Sequence, residues 1–239
     1  MKPVKKKRPQ ISAKASASGK RWSPIEWGCV GIDTSTYAIS ASVIVKTKDG
    51  KIRAGSHGIR WTKETEFFKR MAIASRSADF MQDLFATVKI MPELNEIYIG
   101  MEEPAAISHV SKGQSQYVMQ QMLMGGAILG GILKWGWTQT WLIPAKSWQA
   151  HIAPDLGITT HHTKWNPTKK EGKFRAKEWV QQFHPKWDGS WPDIIPHSTK
   201  GQIPRPEGSK ARGTQSDDRY ETLAMADYMR AELKSGNLG

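Results

Sequence analysis

Acidic residues stand at three places in this chain where a predicted element begins or ends. Asp33 ends the apolar segment GCVGID, and Glu102 follows the apolar segment NEIYIGM. The last predicted helix opens with a third acidic group, which is Asp217, Asp218 and Glu221. Carboxylates that meet at one sheet edge repel one another unless a divalent cation neutralises them. Oxygen ligands of this kind suit Mg²⁺ or Mn²⁺, and two such ions about 4 Å apart can hydrolyse a phosphodiester.

Side-chain alternation along a strand sorts these acids by face. It places Asp33 on the face of Gly31 and Glu102 on the face of Gly100, while Glu103 points away. A glycine two residues before each carboxylate is expected to leave room for an ion or a phosphate. Taken alone, an Asp after a strand is more often a turn or cap residue. The pattern favours Glu102 over Glu103, and Asp33 gains weight only together with the other acids.

The acids of the last helix share one side of it. At 100° per residue, Asp217, Asp218 and Glu221 span about a quarter to a third of the circumference. An apolar stripe continues the same side and consists of Ala224, Met225 and Tyr228. The opposite side is basic and carries Arg219, Arg230 and Lys234. The helix macrodipole alone would favour one acid here, but three acids above an apolar stripe predict that the acids face the sheet.

The order of predicted elements indicates an α/β fold built on a mixed five-stranded sheet. Strands are expected at residues 28–33, 37–46, from a hairpin turn at 48–51 to Trp61, at 95–101 and at 138–143. Helices are expected at 62–89, with Thr62 as N-cap and Glu64 and Glu66 in the first turn, and at 113–135, 146–153, 172–184 and 216–234. Three antiparallel strands therefore precede an alternation of helices and strands.

Charge is distributed unevenly over two predicted regions. The chain has 239 residues and a net charge of +13. Residues 1–24 are predicted to form a flexible basic arm, and residues 25–239 a single domain with basic insertions near 154–171 and 185–215. Such an excess of positive charge favours a polyanionic partner, with nucleic acid ahead of an anionic membrane surface.

Several classes of protein are excluded by composition. The single cysteine, Cys29, rules out an intramolecular disulfide, suits a reducing compartment and is expected to be a buried, inert thiol. The basic start runs into Ser- and Ala-rich sequence without the apolar core of a secretory signal. The uncharged stretch 113–133 contains four Gln and five Gly residues, so it is predicted to be a buried helix rather than a membrane span.

Basic and aromatic residues accompany the acids. Those predicted to contact DNA phosphates are Lys112, Lys146, Lys164, Lys169, Lys170, Lys173, Arg175 and Arg212. Among the eleven tryptophans, those expected to pack are Trp135, Trp137, Trp141, Trp148 and Trp179. Those in basic loops, where stacking on bases competes with anchoring of the loop, are Trp165, Trp187 and Trp191.

Two glycine pairs lie on the apolar helix, Gly125-Gly126 and Gly130-Gly131. They permit close packing, either of two copies of the helix across a two-fold axis or of the helix against its own sheet. The sequence leaves both arrangements open.

The sequence resembles the RuvC family of Holliday junction resolvases. The matching segments are GIDTST around Asp33, MEEP around Glu102, IPAKSW around Lys146 and DDRYETLAMADY around Asp218 and Glu221. They extend in order from Cys29 to Leu233. The resemblance implies an RNase H-like fold, a homodimer, and paired metal-dependent cuts across a four-way DNA junction.

The resemblance also assigns roles to the acids and shows two departures. It implies that Asp33 bridges two Mg²⁺ ions, that Glu102 holds one, and that Asp218 with Glu221 completes the site, with Asp217 as a further ligand. Glu221 stands where better-known members have Asp. Those members carry an aromatic wedge after the second acid, whereas Ala105, Ala106 and Ile107 follow here.

Other functions remain open on the sequence alone. A less selective nuclease acting on flaps or forks would use the same acids, and a non-catalytic DNA-binding module would keep them as structural residues. An actin-like kinase also begins with a GID-type strand, but it needs a longer chain and further phosphate-binding motifs. The resemblance implies a phage or bacterial protein of the cytoplasm or nucleoid, while the basic run at residues 5–8 would also suit a nuclear address.

Overall fold

One mixed sheet organises the chain. The structure is a computed structural model that describes residues 22–60, 66–103, 115–157, 169–185 and 215–238. Its strands are β1 (Ile25–Thr34), β2 (Ala38–Thr47), β3 (Ile52–Arg60), β4 (Ile97–Glu102) and β5 (Thr140–Ile143), in the order β3-β2-β1-β4-β5. The first three are antiparallel, whereas β4 and β5 run parallel to β1. The predicted α/β class and mixed five-stranded sheet are confirmed.

The turn between β2 and β3 forms where the sequence predicts it. The Thr47 and Gly50 backbone N–H groups donate to the carbonyls of Lys51 (2.9 Å) and Thr47 (2.8 Å). Gly50 has φ of 81°, a left-handed conformation that glycine adopts without steric cost. The glycine at this position therefore allows the tight turn, and the turn sets the register of β2 against β3.

Helices cover both faces of the sheet. They are α1 (Phe67–Ala74), α2 (Ser77–Thr87), α3 (Ser115–Lys134), α4 (Ala145–Ile152), α5 (Lys169–Phe183) and α6 (Gln215–Ser235). One buried cluster, the α3-side core, includes Val30, Ile32, Met124 and Ile128. The other, the α6-side core, includes Cys29, Ile44, Trp148, Trp179 and Met225. Alternate residues of β1 therefore enter opposite cores, as strand geometry requires.

All five tryptophans expected to pack do so. Trp135 and Trp137 belong to the α3-side core. Trp148 and Trp179 are each 1% exposed in the α6-side core, and Trp141 packs against it and stacks on Tyr98. The loop tryptophans Trp165, Trp187 and Trp191 lie outside the described residues.

The prediction of one helix over residues 62–89 is wrong, because the segment forms two helices. α1 begins at Phe67 with Glu66 as its N-cap. The helix ends before Arg76, whose φ of −87° and ψ of 36° are not helical. The Ser75 hydroxyl donates to the carbonyl of Ala72 (2.9 Å), a local bond that competes with helix continuation. Thr62 and Glu64 lie outside the described residues.

The expectation of a one-sided final helix is also wrong. α6 is buried almost all round, and Tyr220, Ala224, Ala226 and Asp227 are each at most 3% exposed although they lie on different sides. The sheet covers one side, while α4 and α5 pack on the other. Arg230, predicted to lie on an open basic side, is half-buried and paired with Asp227. Small residues such as Ala224 and Ala226 allow this double contact.

The chain joins the body before the boundary that the sequence predicts. The Ser23 N–H donates to the Lys89 carbonyl (3.0 Å), and the Pro24 carbonyl accepts from Lys48 (3.1 Å). The rest of the predicted arm, residues 1–21, lies outside the described residues. Within the described part of the chain, no helix combines the length and apolarity that crossing a membrane requires.

Candidate active site

The sheet brings Asp33 and Glu102 to neighbouring positions. β1 and β4 are parallel, with Gly31 opposite Gly100 and Ile32 opposite Met101. Asp33 and Glu102 are the next residues of the two strands, and both are half-buried. Because Ile32 and Met101 enter the α3-side core, the two carboxylates lie on the opposite face, beneath α6. The alternation pattern that selected these acids therefore agrees with the observed register.

Glu103 is placed differently from Glu102. It follows the end of β4 and is exposed, and its backbone N–H donates to the carbonyl of Ile143 (2.9 Å). Its backbone thus extends the pairing with β5, while its side chain lies outside the face that Asp33 and Glu102 share.

Helix α6 carries the other predicted acids toward the same strand. A Cβ atom on Gly31 would overlap the carbonyl oxygen of Thr222 and lie 2.8 Å from the nitrogen of Ala226. Glu221, which is half-buried, immediately precedes Thr222. Asp217 and Asp218 lie one turn earlier in α6, and their side chains fall outside the described part of the structure. α6 therefore touches β1 at Gly31, two residues before Asp33, and the acids of α6 lie in the turns that precede this contact.

The glycines have a different role from the one the sequence suggests. The space beside Gly31 is filled by the backbone of α6, and the space beside Gly100 by the side chains of Ile143 and Met229. Neither glycine leaves a vacancy for an ion or a phosphate. Gly31 permits the close approach of the α6 backbone, because a helix backbone reaches a strand only where the strand lacks side chains, and Gly100 makes room for side chains of β5 and α6.

The described acids do not form a complete metal site by themselves. Among the side chains that the structure describes, no group of three or more His, Cys, Asp or Glu residues is arranged to hold a metal ion. Asp33, Glu102 and Glu221 belong to that described set. The donor chemistry of Asp33 and Glu102, the described acids on neighbouring strands here, is nevertheless that of a hard cation, since both supply carboxylate oxygens.

The loop after Asp33 is held from the other face of the sheet. The Gln121 side-chain amide of α3 donates to the carbonyl of Thr34 (3.0 Å). Arg70 of α1, 4% exposed, donates to the Thr36 carbonyl and lies 4.4 Å from the centre of the Tyr37 ring. These contacts fix the backbone that follows Asp33, and no pattern in the sequence indicates them.

Sequence reasoning also missed a buried row of hydroxyls beneath α6. The Ser42 Oγ lies 2.8 Å from the Ser56 Oγ and 2.6 Å from the Thr222 Oγ1. Ser42 and Thr222 are fully buried. The only available indication was a pair of serines, Ser40 and Ser42, in an otherwise apolar strand.

A second missed cluster lies further along α6. The Asp227 carboxylate accepts a hydrogen bond from the His151 Nε2 (3.0 Å) of α4 and pairs with the Arg230 Nη2 (2.6 Å). Burial raises the pKa of Asp227, but the His151 hydrogen bond and the Arg230 charge outweigh it and bring the pKa below its usual value. This cluster fastens α4 to α6 and is separate from the acids near Asp33.

Cys29 behaves as the sequence predicts. It is fully buried in the α6-side core, and burial raises the pKa of its thiol to about 12. A thiol in this state is protonated at neutral pH and is not a nucleophile.

The predicted DNA-contacting residues are described only in part. Lys146 is exposed in the first turn of α4, three residues after Ile143, which is paired with Glu102. Arg175 of α5 is bonded to Glu178 (2.9 Å). Lys112, Lys164 and Arg212 lie outside the described residues, as do the side chains of Lys169, Lys170 and Lys173 in α5. Of the two predicted DNA-contacting residues whose side chains the structure describes, Lys146 is therefore the one that follows the strand paired with Glu102.

Comparison with known proteins identifies the architecture. No protein-family model matches the sequence, and no curated protein sequence matches it. Among solved structures, RuvC of T. thermophilus in complex with a Holliday junction substrate is similar, with a TM-score of 0.51 and 13% identity over 89% of this chain and 98% of that chain.

Two further solved structures are similar at lower scores. A second Thermus thermophilus RuvC structure has a TM-score of 0.47 and 12% identity, covering 87% of this chain and 96% of that one. The yeast mitochondrial Holliday junction resolvase Ydc2 has a TM-score of 0.47 and 14% identity, covering 91% and 84%. On the strand order, the register of β1 with β4 and the first of these similarities, the chain has the RNase H-like fold of RuvC.

Proposed function

We propose that this protein is a metal-dependent endonuclease that cuts branched DNA, with the four-way junction as its substrate. The observation that carries the proposal is the register of β1 and β4, which makes Asp33 and Glu102 neighbours on the face covered by α6. Half-buried carboxylates on adjacent strands repel each other in the absence of a cation. Two neighbouring carboxylates supply the oxygen ligands that a divalent cation prefers, which supports a functional role.

The metal ligands proposed are Asp33, Glu102, Asp218 and Glu221, with Asp217 as an additional ligand. Mg²⁺ ions bound there would supply activation of water and neutralisation of charge on the phosphate, and Mn²⁺ would substitute. The chain itself holds Asp33 on a central strand that is bonded on both sides, so the backbone that carries this carboxylate is fixed by the sheet. The longer side chain of Glu221 extends from a helix that is fully packed at the next residue, Thr222.

Branched DNA is the proposed partner for two reasons. The chain carries +13, of which eight positive charges fall in residues 1–21 without an acid. The RuvC structure that shares this fold was determined with a Holliday junction substrate. Lys146 would contact a phosphate beside Glu102, and the remaining basic residues would follow the DNA backbone and position it without reading sequence.

A homodimer formed through α3 is proposed as the active assembly. One side of α3 packs on the sheet through Met124, Ile128 and Ile132. The other side is exposed and apolar, and it consists of Met119, Met122, Leu123, Gly126, Gly130 and Leu133. A Cβ atom added to Gly126 or Gly130 would meet nothing within 4 Å, so a second backbone can approach them. A two-fold contact between two copies of this exposed side of α3 would relate the two active sites by symmetry, as paired cuts in a junction require.

Cleavage assays test the proposal. Wild type should cut a four-way junction in the presence of Mg²⁺, and Asp33→Asn and Asp218→Asn should lose at least about a thousandfold in rate. Glu103→Gln, the exposed neighbour, is the matched control and should retain wild-type activity. Tight junction binding without any cutting would favour a non-catalytic binding module. Equal cutting of junction, flap and duplex would replace junction selectivity with a general nuclease activity.

A truncation tests the proposed basic arm. Removing residues 1–21 should weaken DNA binding and lower the slope of log affinity against log salt concentration, because up to eight phosphate contacts are lost. Metal-dependent chemistry on bound DNA should be unaffected, since the predicted domain begins after the arm. An unchanged salt slope would contradict a DNA-binding role for the arm.

A further inference from the structure

A row of small residues crosses three strands beneath the start of α6. Ser56 of β3 is paired with Ser42 of β2, and Ser42 is paired with Gly31 of β1. Gly31 faces α6, because a Cβ atom there would meet Thr222 and Met225. The next row toward the end of β1, two residues further, contains Ser40 and Asp33 as a pair. The row of small residues therefore supports the helix directly beside the row that carries the acid.

Hydrogen bonds connect this row to the helix. Ser42 Oγ lies 2.8 Å from Ser56 Oγ, 2.6 Å from Thr222 Oγ1 and 3.1 Å from the carbonyl oxygen of Arg219. The Thr222 hydroxyl also donates to the Arg219 carbonyl (3.0 Å). One arrangement of protons uses every hydroxyl: Ser56 donates to Ser42, Ser42 donates to Thr222, and Thr222 donates to the carbonyl. We call these three side chains the hydroxyl chain.

The hydroxyl chain fixes α6 in the direction along its axis. Apolar contacts tolerate sliding of a helix by a fraction of a turn, whereas hydrogen bonds of 2.6–3.1 Å between buried groups do not. Gly31 fixes the height of the helix above the sheet at the same residue. Both constraints act at Thr222, and the bonds also include the carbonyl of Arg219. Asp218 and Glu221 are adjacent to these two residues. The bonds and the glycine contact therefore determine where the backbone of Asp218 and Glu221 lies relative to Asp33.

We propose that Ser42, Ser56 and Thr222 are positioning residues that set the placement of Asp218 and Glu221 against Asp33 for binding a divalent cation. The inference rests on the proposed nuclease function and extends it to side chains that touch neither metal nor DNA. A carboxylate displaced by a few tenths of an ångström still binds a cation, but more weakly. Residues that orient metal ligands change metal affinity about 10- to 100-fold when they are replaced.

The test measures metal binding directly. Thr222→Val removes the hydroxyl on the helix side at nearly constant volume, and Ser42→Ala removes the central hydroxyl on the strand side. Each should weaken binding of Mn²⁺, measured as free ion by electron paramagnetic resonance, by about tenfold. Thr222→Ser keeps the hydroxyl and should stay within about twofold of wild type. Saturating Mg²⁺ should restore the cleavage rate of the weakened variants, because the loss lies in metal affinity.

A matched control separates positioning from general stability. Thr47 is also fully buried, and its hydroxyl donates to the Lys51 carbonyl (3.0 Å) at the opposite end of β2. Thr47→Val should lower the melting temperature without changing Mn²⁺ affinity. Folded Thr222→Val and Ser42→Ala proteins with wild-type Mn²⁺ affinity would overturn the positioning role while leaving the nuclease proposal intact. Wild-type protein that binds Mn²⁺ no better than Asp33→Asn would overturn the proposed function itself, and the positioning role with it.

Discussion

Helices α3 and α6 lie on opposite faces of one sheet and are held there by different forces. α3 packs through large aliphatic side chains such as Met124 and Ile128, and its outer side is apolar and exposed. α6 also buries large side chains such as Met225, and it adds close glycine contacts, buried hydroxyls and a buried carboxylate, while helices enclose its outer side. Dispersion and hydrophobic contacts are non-directional, whereas hydrogen bonds specify position. The helix that carries the proposed metal ligands therefore has a buried group of hydrogen bonds in addition to its apolar contacts.

The largest expected effect follows from the closest contact on the α6 face. Gly31→Ala places a methyl group on the backbone of Thr222 and Ala226, which cannot move without displacing α6. We expect a loss of about 3 kcal/mol in the free energy of unfolding, measured by urea denaturation.

Two glycine controls give this prediction its contrast. Gly100→Ala meets the flexible ends of Ile143 and Met229 and should cost less. Gly126→Ala on the exposed side of α3 meets no atom within 4 Å and should not destabilise the monomer. Equal losses at Gly31 and Gly100 would contradict the backbone contact.

The buried charge on α6 gives the next largest effect. Asp227→Ala leaves Arg230 and His151 without their carboxylate partner, and both are partly exposed, with side chains 23% and 26% accessible. Water therefore compensates part of the loss, and we expect a destabilisation of about 2 kcal/mol by urea denaturation. Lys234→Ala, at an exposed position of the same helix, should change stability little. A neutral Asp227→Ala would show that the cluster does not hold α4 against α6.

A smaller effect concerns acid. Burial lowers the pKa of His184 below its usual 6.5, so the unfolded chain takes up a proton at a higher pH than the folded chain. The folded state is then favoured above pH 6.5, and this contribution declines as pH falls toward the folded pKa. Removing the imidazole by His184→Gln should reduce the stability lost between about pH 7.5 and about pH 5.5. The measurement is the shift in urea midpoint between the two pH values, compared for wild type and His184→Gln. An identical shift in both proteins would show that His184 does not contribute to the pH dependence of stability.

The smallest effect on folding is expected for a substitution on the exposed side of α3. Leu123 is 46% exposed, so Leu123→Glu should change the unfolding free energy of the monomer by no more than about 0.5 kcal/mol. The same change should abolish the proposed dimer in analytical ultracentrifugation, because it places a charge in the apolar stripe. A strongly destabilised monomer would mean that this side of α3 is packed within the subunit.

The two faces also differ in how far the sequence predicts them. The hairpin at Asp49-Gly50 and the shared face of Asp33 and Glu102 follow from local rules, since turn residues and strand alternation act over a few residues. Enclosure of α6 by α4 and α5 and the bond of Ser42 to Thr222 depend on contacts between segments that are far apart in sequence, 76 residues for His151 with Asp227 and 180 residues for Ser42 with Thr222. Serine in a strand has no distinctive pattern, because its bonding depends on what packs above it. The break at Ser75 and Arg76 was equally invisible, since neither residue is a strong helix breaker.

The last residues of β1 have a consequence for folding. Asp33 faces α6, while the carbonyl of its neighbour Thr34 is held by Gln121 of α3. The end of β1 therefore contacts both the α3-side core and the α6-side core. If only one core has formed, Asp33 is not yet placed against the acids of α6. We expect a chain in which either core is unformed to lack metal-dependent cleavage.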